Sequence, residues 1–148
     1  MSTLFAFLHH VAAFTLVATL AVEFVLIRQE VSRAGAIRLL VTDAVLGASA
    51  TALLVIGLLR VFYFEKGAAY YFSSYAFLTK LTVFIALAAL SAVPTIEFLS
   101  WRKAVNAGQA PSPAAAKLNL VRRIIHVELM GVVVILLAAA IMARGGWY

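Results

Sequence analysis

Four long hydrophobic stretches, separated by short polar segments, dominate the pattern of the chain. They cover about residues 4–27, 39–59, 73–99 and 120–143. Each is close to or above the ~20 apolar residues that a helix needs to span a bilayer. Because every connecting segment is short, consecutive helices are expected to run antiparallel. The pattern therefore predicts an all-α fold: an integral membrane antiparallel four-helix bundle, formed by a single transmembrane domain over residues 1–148.

The composition agrees with a membrane protein. The chain is 65% hydrophobic and 12% charged, whereas soluble domains average about 45–50% and 25%. This excludes cytosolic and disordered classes, and the basic residues sit beside hydrophobic stretches, which argues against nucleic acid as a partner. The absence of cysteine excludes disulfides and thiolate metal sites. The first stretch lacks a basic leader and three more follow it, so we expect a membrane span and not a signal peptide.

Lysine and arginine are unevenly distributed beside the spans. The segments that join spans one to two and three to four hold, with their flanks, Arg28, Arg33, Arg38, Arg102, Lys103, Lys117, Arg122 and Arg123. The opposite side holds Arg60, Lys66 and Arg144. The positive-inside rule then predicts a multi-pass protein of a bacterial inner membrane with both termini outside. An outer aromatic belt is expected from Tyr63, Tyr70, Tyr71, Tyr75, Trp147 and Tyr148, with Trp101 on the inner side.

Polar residues inside or beside the spans form two tiers. The basic outer tier consists of His9, His10, Arg60 and Lys80. The acidic inner tier consists of one carboxylate from each span, Glu23, Asp43, Glu97 and Glu128, with His126 at similar depth. Because ionisable groups are costly inside a bilayer, each is a candidate functional residue.

The first span connects the two tiers. His9 and Glu23 are 14 residues apart, close to four helical turns, so they share one helix face. If this face points into the bundle, His10 points about 100° away. Lys80 and Ser91 share a face of the third span by the same argument.

The acidic tier allows two interpretations. It can form a proton or cation path, or its carboxylates can pair with Arg28, Arg38, Arg102, Arg122 or Arg123 and fix helix packing. A di-iron centre is not favoured, because the Glu-x-x-His spacing of such bundles is missing. Ala44, Gly47, Ala48 and Thr51 form a small face on the second span. That face predicts a close approach of another helix, unless it reflects only an alanine-rich composition.

The outer tier predicts a site for an anionic cofactor or substrate, although Lys80 can also extend towards the membrane surface. Haem b is the candidate cofactor, because imidazole binds iron and basic side chains balance propionates. His9 or His10 would bind the iron, with Arg60 and Lys80 nearby. Since these two histidines are neighbours on one helix, one chain supplies a single axial ligand, and another group or protomer supplies the second.

Several motifs resemble a family of bacterial predicted membrane proteins of unknown function. They are LHHVAAF, AVEF, TDAVLGASA, GLLRVFYFEKGAAYY, FLTKLTVF, LSAVPTIEFLSWR and RRIIHVELMGVVVILLAAAIMARG. The resemblance implies four spans. More remotely, the chain is similar to the HemJ-type protoporphyrinogen oxidases, which are small oligomeric four-span proteins with an early histidine and a lysine in span three. That resemblance implies haem b at His9 or His10 with Lys80 nearby, and Glu23 departs from its pattern.

Three functions follow as hypotheses. The first is a haem-b-binding or quinone-linked membrane redox protein whose inner carboxylates handle protons. The second is a transporter or channel for protons, cations or a small anion, and the third is a non-catalytic assembly partner. A homo-oligomer in the lipid bilayer is expected in each case, because a second copy can bury polar groups that four thin helices leave open. Whether the protein is an enzyme stays open.

Overall fold

A computed structural model describes residues 2–145. Within this range the regular elements are helices: α1 (Ser2–Leu26), α2 (Arg33–Leu59), α3 (Ala68–Phe72), α4 (Tyr75–Ser100), α5 (Arg102–Asn106) and α6 (Ala115–Ala143). A π-helical turn, Arg60–Phe64, continues α2. Four continuous helical segments are long and apolar enough to cross a membrane: Ser2–Leu26, Arg33–Phe64, Tyr75–Asn106 and Ala115–Ala143. The predicted all-α four-helix bundle is confirmed.

Two helices begin before their hydrophobic stretches: α2 begins at Arg33 and α6 at Ala115. Ser32 caps α2 by accepting a hydrogen bond from the backbone N–H of Gly35 at 3.0 Å. Ser74 caps α4 in the same way through Phe77. The segment 61–72, which joins the second and third hydrophobic stretches, is largely helical, and Gly67 separates its two parts with a φ of 88°. Such a positive φ favours glycine.

Helices pair as two hairpins, with α1 packed along α2 and α4 packed along α6. Contacts between α2 and α4 are sparse. We call the end of the bundle that holds His9 and the first turns of α4 the His9 end, and the opposite end the Glu23 end. The outer face is strongly apolar: Phe14 is 75% exposed and Ile96 67%. A lipid environment would cover this face.

The hydrophobic core is concentrated at the Glu23 end. Its largest enclosed side chains include Ile27, Phe98 and Ile125. The rings of Phe98 and Trp101 pack edge to face with centroids 5.2 Å apart. At the His9 end, Val61, Ala76 and Phe77 are buried but lie outside this core cluster.

The small face of α2 does not receive another helix of this chain. Ala44, Gly47, Ala48 and Thr51 are all exposed, and a Cβ added at Gly47 would meet nothing within 4 Å. The close approaches occur at other glycines. A Cβ at Gly131 would lie 2.5 Å from Leu87 Cδ1, so α6 approaches α4 there and not at the predicted face of α2.

Candidate functional site

Two apolar cavities are stacked along the bundle axis. The His9 cavity, of about 300 Å³, lies at the His9 end. The central cavity, of about 340 Å³, continues towards the Glu23 end. They are adjacent because they share the lining residues Ala13, Leu53, Phe84, Ile135 and Leu136. All four residues of the predicted outer tier line the His9 cavity, and of the predicted inner tier Glu128 lines the central cavity.

His9 points into the bundle, in agreement with the face that it shares with Glu23. Its ring packs against α2, since a Cβ at Gly57 would lie 3.2 Å from His9 Cε1. The Nδ1 atom is buried and has no hydrogen-bond partner in the structure of residues 2–145. An enclosed nitrogen cannot reach a ligand in the cavity, so Nε2 is the atom of His9 that is available for binding.

His10 is exposed and also lines the His9 cavity. Its Nδ1 lies 2.6 Å from the carbonyl oxygen of Ala6. Because a carbonyl can only accept, Nδ1 carries the hydrogen, and in the neutral ring the lone pair is on Nε2. Metal-binding histidines commonly have this arrangement, in which the second ring nitrogen donates to a backbone carbonyl. The tautomer of His10 is therefore suited to an iron ligand at the rim of the cavity.

Arg60 is paired within the chain, a contact that the hydrophobic pattern does not predict. Its guanidinium donates to Glu65 Oε1 at 2.6 Å. The Tyr71 hydroxyl donates to Glu65 Oε2 at 3.5 Å, and burial raises the pKa of the Tyr71 phenol, so this donor stays protonated. Much of the Arg60 charge is thus balanced by Glu65 and is not free for an anionic ligand.

Lys80 is half-buried in the His9 cavity. Its ammonium lies 5.5 Å from the ring centroid of Phe77, a cation–π distance. The ion pairs found in the described part of the chain join Arg60 to Glu65 and Lys117 to Glu97, so none involves Lys80. Lys80 is the cation best placed to receive an anionic group at this end.

Three carboxylates from three helices lie near one another at the Glu23 end, and one of them, Glu128, lines the central cavity. Glu23 on α1 is 0% exposed, Glu128 on α6 is 4% and Asp43 on α2 is 7%. The three carboxyl groups are close enough for electrostatic interaction. Glu23 interacts with Asp43 and with Glu128, and Glu128 interacts with Asp43. We call Glu23, Asp43 and Glu128 the carboxylate cluster.

Hydroxyl groups of α4 provide hydrogen bonds to only some of the carboxylate oxygens of the cluster. Thr95 donates to Asp43 Oδ1 at 2.8 Å, and Ser91 hydrogen-bonds Glu128. Both oxygens of Glu23 and Oε2 of Glu128 are buried without a hydrogen-bond partner among the described residues. Neither Arg28, Arg38, Arg102, Arg122 nor Arg123 pairs with the cluster in that part of the chain. Arg122 instead donates to the carbonyl of Ile27 at 2.9 Å. Among the described residues, the ion pairs therefore give no support to the interpretation that arginines pair with these three acids.

Glu97 and His126 lie apart from the carboxylate cluster. Glu97 accepts from Trp101 Nε1 at 3.1 Å and lies 3.7 Å from the Lys117 ammonium. His126 is exposed, with its ring 6.2 Å from that of Phe24. The structure thus reduces the predicted inner tier to three acids and replaces the fourth by Thr95.

The rotation of each residue about its helix axis, which can be read from the sequence, already favours Thr95 over Glu97. At about 100° per residue, Thr95 is rotated about 60° from Lys80, whereas Glu97 is rotated about 100° in the opposite sense. His126 and Glu128 are about 200° apart on α6, so both cannot face the bundle. Glu65, in contrast, reaches Arg60 through the π-helical turn, which the hydrophobic pattern does not reveal.

The structure and the comparisons with known proteins both indicate a membrane protein, and neither of them identifies a reaction. No group of three or more His, Asp or Glu residues suited to a metal ion occurs within residues 2–145. Trp147 and Tyr148 of the predicted aromatic belt lie outside the described residues. No curated protein and no solved structure matches the chain. Residues 1–146 match the family described as predicted membrane protein (DUF2214), so the chain belongs to this family of membrane proteins, as its motifs indicated.

Proposed function

We propose that the protein is a membrane redox protein that binds haem b at the His9 end. The observation that carries this proposal is the meeting of two histidines and Lys80 at one apolar cavity. Imidazole supplies the iron ligand, an apolar wall shields the macrocycle, and a cation balances a propionate. When bound, haem b would supply one-electron redox chemistry.

The residues of the His9 cavity fit this group with different roles. His10 is the better iron ligand, because its Nδ1–H donates to Ala6 and directs the Nε2 lone pair outward. His9 is less suited, since binding through Nε2 would leave a buried Nδ1–H without an acceptor. Lys80 would balance a propionate, and Arg60 would contribute less because Glu65 already holds it.

A homo-oligomer is part of this proposal. His10 is exposed on α1, and one chain offers one well-oriented imidazole at this end. A second copy packed along α1 would cover His10 and would bring a further histidine to the same group. Cross-linking of the detergent-purified protein, with and without haem, tests whether an oligomer forms.

A visible spectrum of the purified protein tests haem binding directly. We expect a Soret band in the isolated protein or after addition of hemin, and its loss in His10→Ala. His9→Ala should retain most of the band. His126→Ala is the matched control, because this histidine is exposed at the opposite end and should leave the spectrum unchanged. A colourless protein that takes up no hemin, or equal spectra for all three variants, would refute the proposal.

Proton exchange through the carboxylate cluster is a second candidate function. The specific observation is that, among the described residues, both oxygens of Glu23 are buried without hydrogen-bond partners and neither ion pair involves Glu23. A buried carboxylate needs a bound proton or an entering cation to compensate its charge. The two adjacent cavities extend from Glu128 of this cluster to Lys80 at the other end.

Liposomes with a pH gradient and an internal pH dye test this second function. Flux should disappear in Glu23→Gln and in Lys80→Met, and it should persist in Glu97→Gln, because Glu97 lies outside the cluster. Absence of flux in the unmodified protein under gradients of either sign would exclude this function.

We further infer from the distribution of basic residues that the Glu23 end faces the cytoplasm of a bacterial inner membrane and that both termini are outside. Because the chain has no cysteine, labelling of a single introduced cysteine shows on which side of the membrane that position lies. An impermeant maleimide should label Lys66→Cys in intact cells and Gln29→Cys only after lysis. The reverse pattern would invert the orientation.

A further inference from the structure

We infer that the central cavity binds an uncharged, lipid-soluble quinone or quinol, which enters from the membrane between α2 and α4. This inference goes beyond the proposed haem site, because it concerns a different cavity and different residues. It stands on the shape of the cavity, its opening and the polar group at its end.

The opening lies where the bundle is least closely packed. Contacts between α2 and α4 are few, and the cavity-lining residues on this seam are small and exposed: Gly47, Thr51, Ala88 and Ala92. A Cβ at Gly47 would meet nothing within 4 Å, so the seam contains free space. A ligand dissolved in the membrane can therefore enter sideways without passing through water.

The wall of the cavity fits a flat apolar ring. It is lined mainly by aliphatic side chains, and Phe84 contributes an aromatic ring. Aromatic rings pack favourably against other flat rings in offset or edge geometries. The volume of about 340 Å³ lies at the lower end of the range for small-molecule sites, about 300–1,000 Å³.

The polar end identifies the chemistry of the ligand. Glu128 lines the cavity and is 4% exposed, and its Oε2 is enclosed without a partner among the described residues, so the carboxyl group has to turn to present this oxygen to a ligand. Ser91, which also lines the cavity, hydrogen-bonds the same carboxyl group. A carboxyl O–H can donate to a quinone carbonyl, and a carboxylate can accept from a quinol hydroxyl. One unpaired group at the end of an apolar cavity thus selects a ligand with an apolar body and an oxygen-bearing head.

The surrounding charges argue for an uncharged head. Asp43 and Glu23 both lie close enough to interact electrostatically with Glu128. A fatty-acid carboxylate bound beside Glu128 would be repelled by these acidic groups. Glu128 is six residues along α6 from Arg122, about 9 Å. A zwitterionic lipid headgroup would have to leave the membrane surface to reach it, which is costly.

Calorimetric titration of the full chain in nanodiscs with a decyl-tailed benzoquinone tests the inference. Decylbenzene, which has the same tail and no carbonyl, is the ligand control. We expect saturable binding of the quinone only. Glu128→Leu should weaken it about tenfold, the equivalent of one hydrogen bond. Glu128→Gln should stay within about threefold, because an amide still donates to a carbonyl.

A second pair of variants tests the entrance. Gly47→Phe fills the seam and should abolish binding, whereas Ala48→Phe, exposed on the same helix but outside the cavity lining, should leave it unchanged. Equal binding of decylbenzene, or full affinity in Glu128→Leu, would overturn the inference in favour of unspecific hydrocarbon uptake. His10→Ala should bind the quinone normally, so failure of the haem proposal is distinguishable from failure here.

Discussion

Replacement of Glu23 by methionine should stabilise the protein. Glu23 is fully buried, and neither of its oxygens has a hydrogen-bond partner among residues 2–145. An unsatisfied buried polar group costs about 1–3 kcal/mol. Methionine has similar length and can occupy the same space without a polar atom, so Glu23→Met should recover most of that cost.

The size of the effect can be measured in detergent. An increase of about 1–3 kcal/mol in the free energy of unfolding corresponds to about 2–12 °C in the melting midpoint for a chain of this size. Differential scanning fluorimetry, or reversible unfolding in mixed micelles, resolves such a change. Ile27→Met is the matched control: Ile27 is a buried apolar residue at the same helix end, and this swap should cost less than about 1.5 kcal/mol.

The opposite result would be equally informative. If Glu23→Met lowered the free energy of unfolding by more than about 1 kcal/mol, the carboxyl group would be satisfied in the native protein. The reasoning on the carboxylate cluster would then be refuted. If instead the variant is more stable but loses proton flux in liposomes, Glu23 is retained for activity at the expense of stability, as is common for functional groups.

Two further predictions concern packing and hydrogen bonding. Gly131→Ala should destabilise the protein by about 1–3 kcal/mol, because its Cβ would lie 2.5 Å from Leu87, whereas Gly47→Ala has free space and should be neutral or slightly stabilising; equal melting points would contradict this. Thr95→Val should cost about 1–3 kcal/mol, since it removes the 2.8 Å hydrogen bond to Asp43, and an unchanged unfolding curve would show that this bond contributes nothing.

Helical periodicity alone predicted the parts of the site that lie on one helix. The 14-residue spacing of His9 and Glu23 placed both on the inward face, and the structure agrees. The spacing of Lys80 and Ser91 did the same for α4. Rotation about a helix axis depends only on the rise and turn of the backbone, so these predictions need no knowledge of the neighbouring helices.

Relations between helices could not be predicted in this way. Glu97 has the depth expected of the inner tier, but its rotation about the helix axis differs from that of Lys80 and Ser91. Its carboxylate therefore contacts Trp101 and Lys117. Likewise, nothing in the hydrophobic pattern indicates that Arg60 folds back onto Glu65. Side-chain partners that lie on loops or across a helix interface depend on tertiary packing, which a one-dimensional pattern does not contain.

The two ends of the bundle divide stability and binding between them. At the Glu23 end, Arg33 and Arg122 donate to the backbone carbonyls of Val105 and Ile27 at 3.0 and 2.9 Å and connect distant segments. These two hydrogen bonds and the buried aromatic pair of Phe98 and Trp101 hold the helices together at this end. They oppose the electrostatic repulsion among the carboxylates that the helices carry. Because the hydrophobic core is concentrated at this end, the remainder of the bundle can keep small residues and open cavities without losing the fold. A well-packed support beside an open cavity is what precise ligand binding requires, and Glu128, which is buried and also lines the central cavity, lies where the two meet.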